Sequence, residues 1–120
     1  EGRADSAPTP IRLELIVRTV CESLGVETNK VYGPSRHRRI VLARSIAIYL
    51  ARQLTTLSYP ELARALNRSN HSTIVTAAQR VERQMSQKQL AGLIESPHVT
   101  IDQLTESLCQ KVRQVAGSGG

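Results

Sequence analysis

Ser58-Tyr59-Pro60-Glu61-Leu62-Ala63-Arg64-Ala65-Leu66-Asn67-Arg68-Ser69-Asn70-His71-Ser72-Thr73-Ile74 is the stretch whose reading decides the fold. Ser58 followed three positions later by Glu61 has the form of an N-terminal capping box, and Pro60 has its φ preset for an early helical position. Leu62, Ala63 and Leu66 share one side of the short helix that follows. Asn67-Arg68 makes a tight connection, because asparagine tolerates left-handed backbone geometry. A second helix opens at Ser69 or Asn70 and carries Ile74, Ala77, Ala78, Val81 and Met85 at helical spacing. A two-turn helix, a short connection, and a longer helix with small polar side chains at its start have the size and order of a helix-turn-helix.

The flanking chain reads as helix on both sides. Upstream, Arg36 to Thr55 places Ile40, Ala43, Ile46, Ala47, Leu50, Ala51 and Leu54 on one side, with Val41, Ile48 and Tyr49 widening it. A helix so apolar around its girth belongs at the centre of a core. Before it, a helix starts after Thr9 with Pro10 at its first position, buries Leu13, Ile16, Val17, Val20 and Leu24, and stops at Gly25. Val26 to Ser35, containing Gly33-Pro34, reads as a loop. Downstream, Gly92 and Pro97 bound a looser stretch, and Thr100-Ile101-Asp102-Gln103 is a second capping box opening a last helix with Ile101, Leu104, Leu108 and Val112 inward. Strand-period alternation occurs nowhere. The expected fold is all-α: a bundle of four to five helices containing a helix-turn-helix, spanning residues 10–115 between a polar tail at 1–9 and a flexible end at 116–120.

Composition narrows the function classes. The chain has 120 residues, 40% of them apolar, with three tyrosines and no Phe or Trp, so its core is built from Leu, Ile, Val and Ala. Apolar runs fall far short of the ~20 residues needed to cross a bilayer, and Ala7-Pro8-Thr9-Pro10 interrupts any signal-peptide core. A soluble cytoplasmic protein without a membrane partner is expected. Cys21 and Cys109 lie far apart with no CxxC or Cys/His cluster, so both read as buried thiols, and neither a metal nor a cofactor is expected. Only two aspartates are present, Asp5 and Asp102; His37, His71 and His98 are scattered, and no Gly-rich phosphate loop occurs. No nucleophile–base pair stands out, and the expectation is a protein that is not an enzyme.

Charge is concentrated. Of the net charge of +6, the flanks contribute nothing positive. Residues 30–83 carry Lys30, Arg36, Arg38, Arg39, Arg44, Arg52, Arg64, Arg68, Arg80 and Arg83 against Glu61 and Glu82. Nine arginines in that block suit phosphate and guanine and point to a polyanion; a solvated basic face that keeps the protein soluble is the equal alternative on charge alone. At the start of the second helix, Ser69-Asn70-His71-Ser72-Thr73 offers an amide that can pair with adenine, donors and acceptors, and a methyl for thymine. The competing reading has Ser69 or Asn70 as a simple cap and Ser72 and Thr73 as exposed first-turn residues. Duplex DNA is the expected partner; an RNA-binding module and a protein-interaction domain are the alternatives.

These residues resemble a known family. Ala43-Arg44-Ser45-Ile46-Ala47-Ile48-Tyr49-Leu50-Ala51-Arg52, Leu54-Thr55, Ser58-Tyr59-Pro60-Glu61-Leu62 and Asn70-His71-Ser72-Thr73-Ile74 are similar to the C-terminal DNA-binding domain of the bacterial replication initiator DnaA family. The resemblance implies a Trp-repressor-like helix-turn-helix that binds short double-stranded boxes. It matches Arg44 to an arginine that enters the minor groove and Arg52 to a basic position near the DNA backbone. Tyr59 and Pro60 match a turn that approaches thymine methyls, and Asn70, His71, Ser72 and Thr73 match the recognition-helix signature. Arg68 and Ser69 depart from the family's usual Gly-Gly-Arg-Asp-His-Thr-Thr, the arginine standing one place earlier, and Asn70 replaces an aspartate, so the preferred box is expected to differ. The family's ATPase module is absent from the chain. Roles in replication, transcription or a mobile element stay open, and further subunits on tandem sites are compatible with so small a domain.

Overall fold

The computed structural model describes residues 11–118. Six helices follow one another: α1 Leu13–Leu24, α2 Thr28–Tyr32, α3 Arg38–Leu54, α4 Tyr59–Ala65, α5 His71–Ser86 and α6 Ile101–Ser118. Among these residues there is no strand, only isolated bridges between Leu90 and Thr100 and between Leu93 and Ser96. The all-α fold class and the helix-turn-helix, formed by α4 and α5, agree with the sequence reading.

α3 is the hub. It buries Ile40, Ala43, Ile46, Ala47, Ile48, Leu50 and Ala51, and both α1 and α5 pack on it. Its girth can be buried so widely because Ala43, Ala47 and Ala51 let neighbours approach closely. α1 contributes Leu13, Ile16, Val17, Val20, Cys21 and Leu24. It ends where Gly25 takes φ 68°, a left-handed backbone that a side chain would strain. The next amide, Val26, donates back to the Cys21 carbonyl at 3.0 Å and closes the helix end. α6 seals the bundle with Ile101, Leu108 and Val112.

Three expectations about the chain's organisation change. The stretch Val26 to Ser35 holds a helix, α2, which makes six helices where four or five were expected. Its single buried anchor, Val31, is too little for a periodicity to register. The last helix runs through Ser118, so residues 116–118 belong to it. Cys109 is half-buried, unlike the buried Cys21. Pro10 and the tail at 1–9 lie outside the described residues, as do 119 and 120.

Both capping boxes form. The Ser58 hydroxyl accepts from the Glu61 amide at 3.2 Å, while the Glu61 carboxylate accepts from the Ser58 amide at 2.8 Å. Those bonds hold the Glu61 carboxyl below the usual carboxylate range. Thr100 and Gln103 repeat the arrangement at the head of α6. Asn67 turns the chain between α4 and α5 with φ 59°.

Candidate nucleic-acid interface

The interface is set by which side of α5 the core claims. Ile74, Ala78 and Val81 are buried against α3 and α4, leaving His71, Ser72, Thr73, Thr76, Gln79, Arg80 and Arg83 exposed. Ser72, Thr76 and Arg80 recur at four-residue spacing and so form one outward stripe. The stripe walls an open groove of about 620 Å³, whose other walls include Pro34, Ser35, Arg36, Arg44 and Arg68. Arg36, Arg44 and Arg68 therefore line the groove with the N-terminal half of α5, where free helix amides favour anions, and Arg80 stands farther along the same helix.

Asn70 is the cap of α5. Its Oδ1 accepts from both the Ser72 amide and the Ser72 hydroxyl, each at 2.9 Å. The Thr73 hydroxyl donates to the Asn70 carbonyl at 2.8 Å. Capping is thus realised, and it engages the acceptor that a two-point pairing with adenine would also use. Asn70 itself is exposed, and its Nδ2 has no hydrogen-bond partner among the described residues. His71 and Ser69 are exposed, and among the described residues neither side chain has a hydrogen-bond partner.

The remaining expected residues fall into two groups. Arg52, Tyr59 and Pro60 sit together outside the groove: the Arg52 guanidinium stacks 4.3 Å from the Tyr59 ring centroid and donates to the Leu57 carbonyl at 2.7 Å. Pro60 is exposed beside them in the first turn of α4. Arg44 and Arg68 line the groove but are not free tips. Arg44 donates to the carbonyls of Lys30, Val31, Gly33 and Ser35 at 2.9–3.1 Å, and Arg68 donates to Val31 and Gly33. In this structure the Arg44 donors are engaged by the α2–α3 loop. Burial, then the neighbouring Arg68 charge, pushes its guanidinium below the usual arginine range.

Arg36, Thr76 and Arg80 are groove residues that the sequence reading did not assign. Arg36 and Arg80 were visible only as members of the basic block. The four-residue recurrence from Ser72 was available as a signal for Thr76 and Arg80; nothing local marks Arg36, whose position depends on α2 and its loop. No group of three or more His, Cys, Asp or Glu able to hold a metal ion occurs among the described residues. Within them, no helix is long and apolar enough to cross a membrane.

Comparison with known proteins agrees with this geometry. A family model described as the bacterial dnaA protein helix-turn-helix matches residues 13–81. The chromosomal replication initiator protein DnaA of a Geobacter species is 36% identical over 76 residues, 63% of this chain and 16% of that protein. The same-named protein of Thermodesulfovibrio yellowstonii is 33% identical over 88 residues, 72% of this chain and 20% of that protein. That of Thermomicrobium roseum is 36% identical over 85 residues, 71% of this chain and 18% of that protein. The chain spans a fifth or less of the length of these curated relatives.

Proposed function

The chain belongs to the bacterial DnaA helix-turn-helix family, whose domain binds double-stranded DNA sequence-specifically, and from that premise we propose how this chain does it. The first turn of α5 enters the major groove, where each base pair displays a distinct pattern of donors and acceptors. Ser69, Asn70, His71, Ser72 and Thr73 meet base edges. Arg36 and Arg80 meet phosphates or the adjacent minor groove, Arg52 meets the backbone, and Tyr59 and Pro60 approach thymine methyls at the head of α4. Arg44 and Arg68 serve by shaping the wall rather than by reaching out. The observation that carries this reading is the exposed polar face of α5, set among four arginines while its opposite face is sealed in the core.

The role is binding, with the six-helix domain as the working unit in the bacterial cytoplasm. Initiation of replication at clustered boxes is the setting that the relatives' names favour, with several copies on tandem sites. Selection from random duplexes tests it. A short common box should emerge, and His71→Ala should lose about 1–3 kcal/mol on that box and little on random DNA. Equal losses on both would remove base reading from α5.

A further inference from the structure

A helix as short as α2 leaves its last carbonyls without partners of its own. Here they are taken by side chains from two other elements. Arg44, from the middle of α3, reaches Lys30, Val31, Gly33 and Ser35. From the turn of the helix-turn-helix, Arg68 Nη2 donates to the Gly33 carbonyl at 2.8 Å and to Val31 at 3.4 Å, and Asn67 Nδ2 donates to Tyr32 at 3.4 Å. The Val31 and Gly33 carbonyls thus accept from both arginines. Neither arginine has a carboxylate partner among the described residues. Two like charges held on one set of carbonyls form a clamp, and the planar guanidinium fork suits it better than an ammonium would.

The clamped segment leads directly to Arg36, which lines the same groove as Ser72, Thr76 and Arg80. The geometry points to Arg68 as a positioning residue that locks the Gly33–His37 loop to the turn before α5, so that Arg36 and the recognition helix meet DNA as one preset surface. This rests on the DNA-binding reading above and adds a device to it. A loop ordered before binding does not have to be ordered during binding.

The test is a double-mutant cycle with Arg68→Ala and Arg36→Ala, singly and together, read as Kd for the selected duplex over a range of salt, alongside amide exchange of Ser35–Arg38 in the free protein. If Arg68 positions Arg36, Arg68→Ala weakens binding in the parent, and its effect is smaller by about threefold or more in the Arg36→Ala background. Exchange over Ser35–Arg38 accelerates while that of α5 does not. Arg68→Lys, which keeps the charge but loses the fork, should behave like Arg68→Ala in both measurements; it also serves if the alanine variant folds poorly. Multiplicative losses, unchanged exchange and a lysine variant equal to the parent would instead make Arg68 a plain phosphate contact and overturn the lock. Absence of duplex preference in the parent protein would defeat the DNA-binding reading itself, and the exchange result would still decide whether the loop is locked.

Discussion

Asn70 carries two demands on one amide. Its oxygen satisfies the Ser72 amide and hydroxyl, so any base it reads in the same conformation meets chiefly its NH2 donors. The substitution Asn70→Asp separates the demands, because aspartate caps a helix about as well as asparagine but presents only acceptors. If Asn70 reads a base, the box selected by Asn70→Asp changes at one position, toward cytosine on the contacted strand, while the melting temperature stays near the parent's. If it only caps, the selected box stays the same. The sequence made the cap and the reading legible as rivals, and in the fold the side-chain oxygen is in use. What no sequence pattern displays is a side chain's partner far along the chain. Arg44 looks like any cation in a basic helix, yet it is consumed by carbonyls 9–14 positions away.

Elements were legible where their signals are local. The Ser58–Glu61 and Thr100–Gln103 boxes, the Gly25 stop and the apolar stripe of α3 each depend on residues within a few turns, and each helix stands where its signal lies. α2 was not legible, since a five-residue helix has no period and is held by Val31 below it and by arginines from α3 and the turn. The stretch between α5 and α6 is also tied from a distance. Arg39, in the first turn of α3, grips the Glu95 carboxylate with two bonds of 2.7 Å and donates to the Leu24 carbonyl at the end of α1. That hydrogen bonding holds the Glu95 carboxyl down to about 2. A depressed carboxyl stabilises the fold above its ordinary range and loses that contribution as pH falls toward the folded value. Thermal melts of the parent and Glu95→Gln should therefore differ at neutral pH and converge as pH drops from about 4.5 to about 2. A constant gap across that window would mean that the pair adds nothing to stability. Glu61 and Asp102 are depressed as well, which is why the comparison is between two proteins at each pH.

At the scale of the molecule, charge and shape have to act together. The basic block between residues 30 and 83 spans α2 to α5, and folding gathers Arg36, Arg44, Arg68 and Arg80 around one groove, with Arg52 on a separate ledge beside Tyr59. Charge alone would attract any polyanion. On the proposed reading the exposed start of α5 discriminates, because B-form DNA admits a helix into its wide major groove, whereas the deep, narrow major groove of duplex RNA does not. Duplex DNA carrying the selected box should outcompete the same sequence as duplex RNA at every salt concentration. For DNA, log K should fall linearly with log salt. Arg52→Ala should flatten that line by about one contact on box and random DNA alike, since a phosphate contact carries no sequence information. If RNA competes as well as DNA, the surface works by charge only, and the helix-turn-helix geometry would have no part in recognition. If Arg52→Ala instead narrows the gap between box and random DNA, its ledge reads sequence, and the Arg52–Tyr59 pair joins α5 as a determinant of specificity.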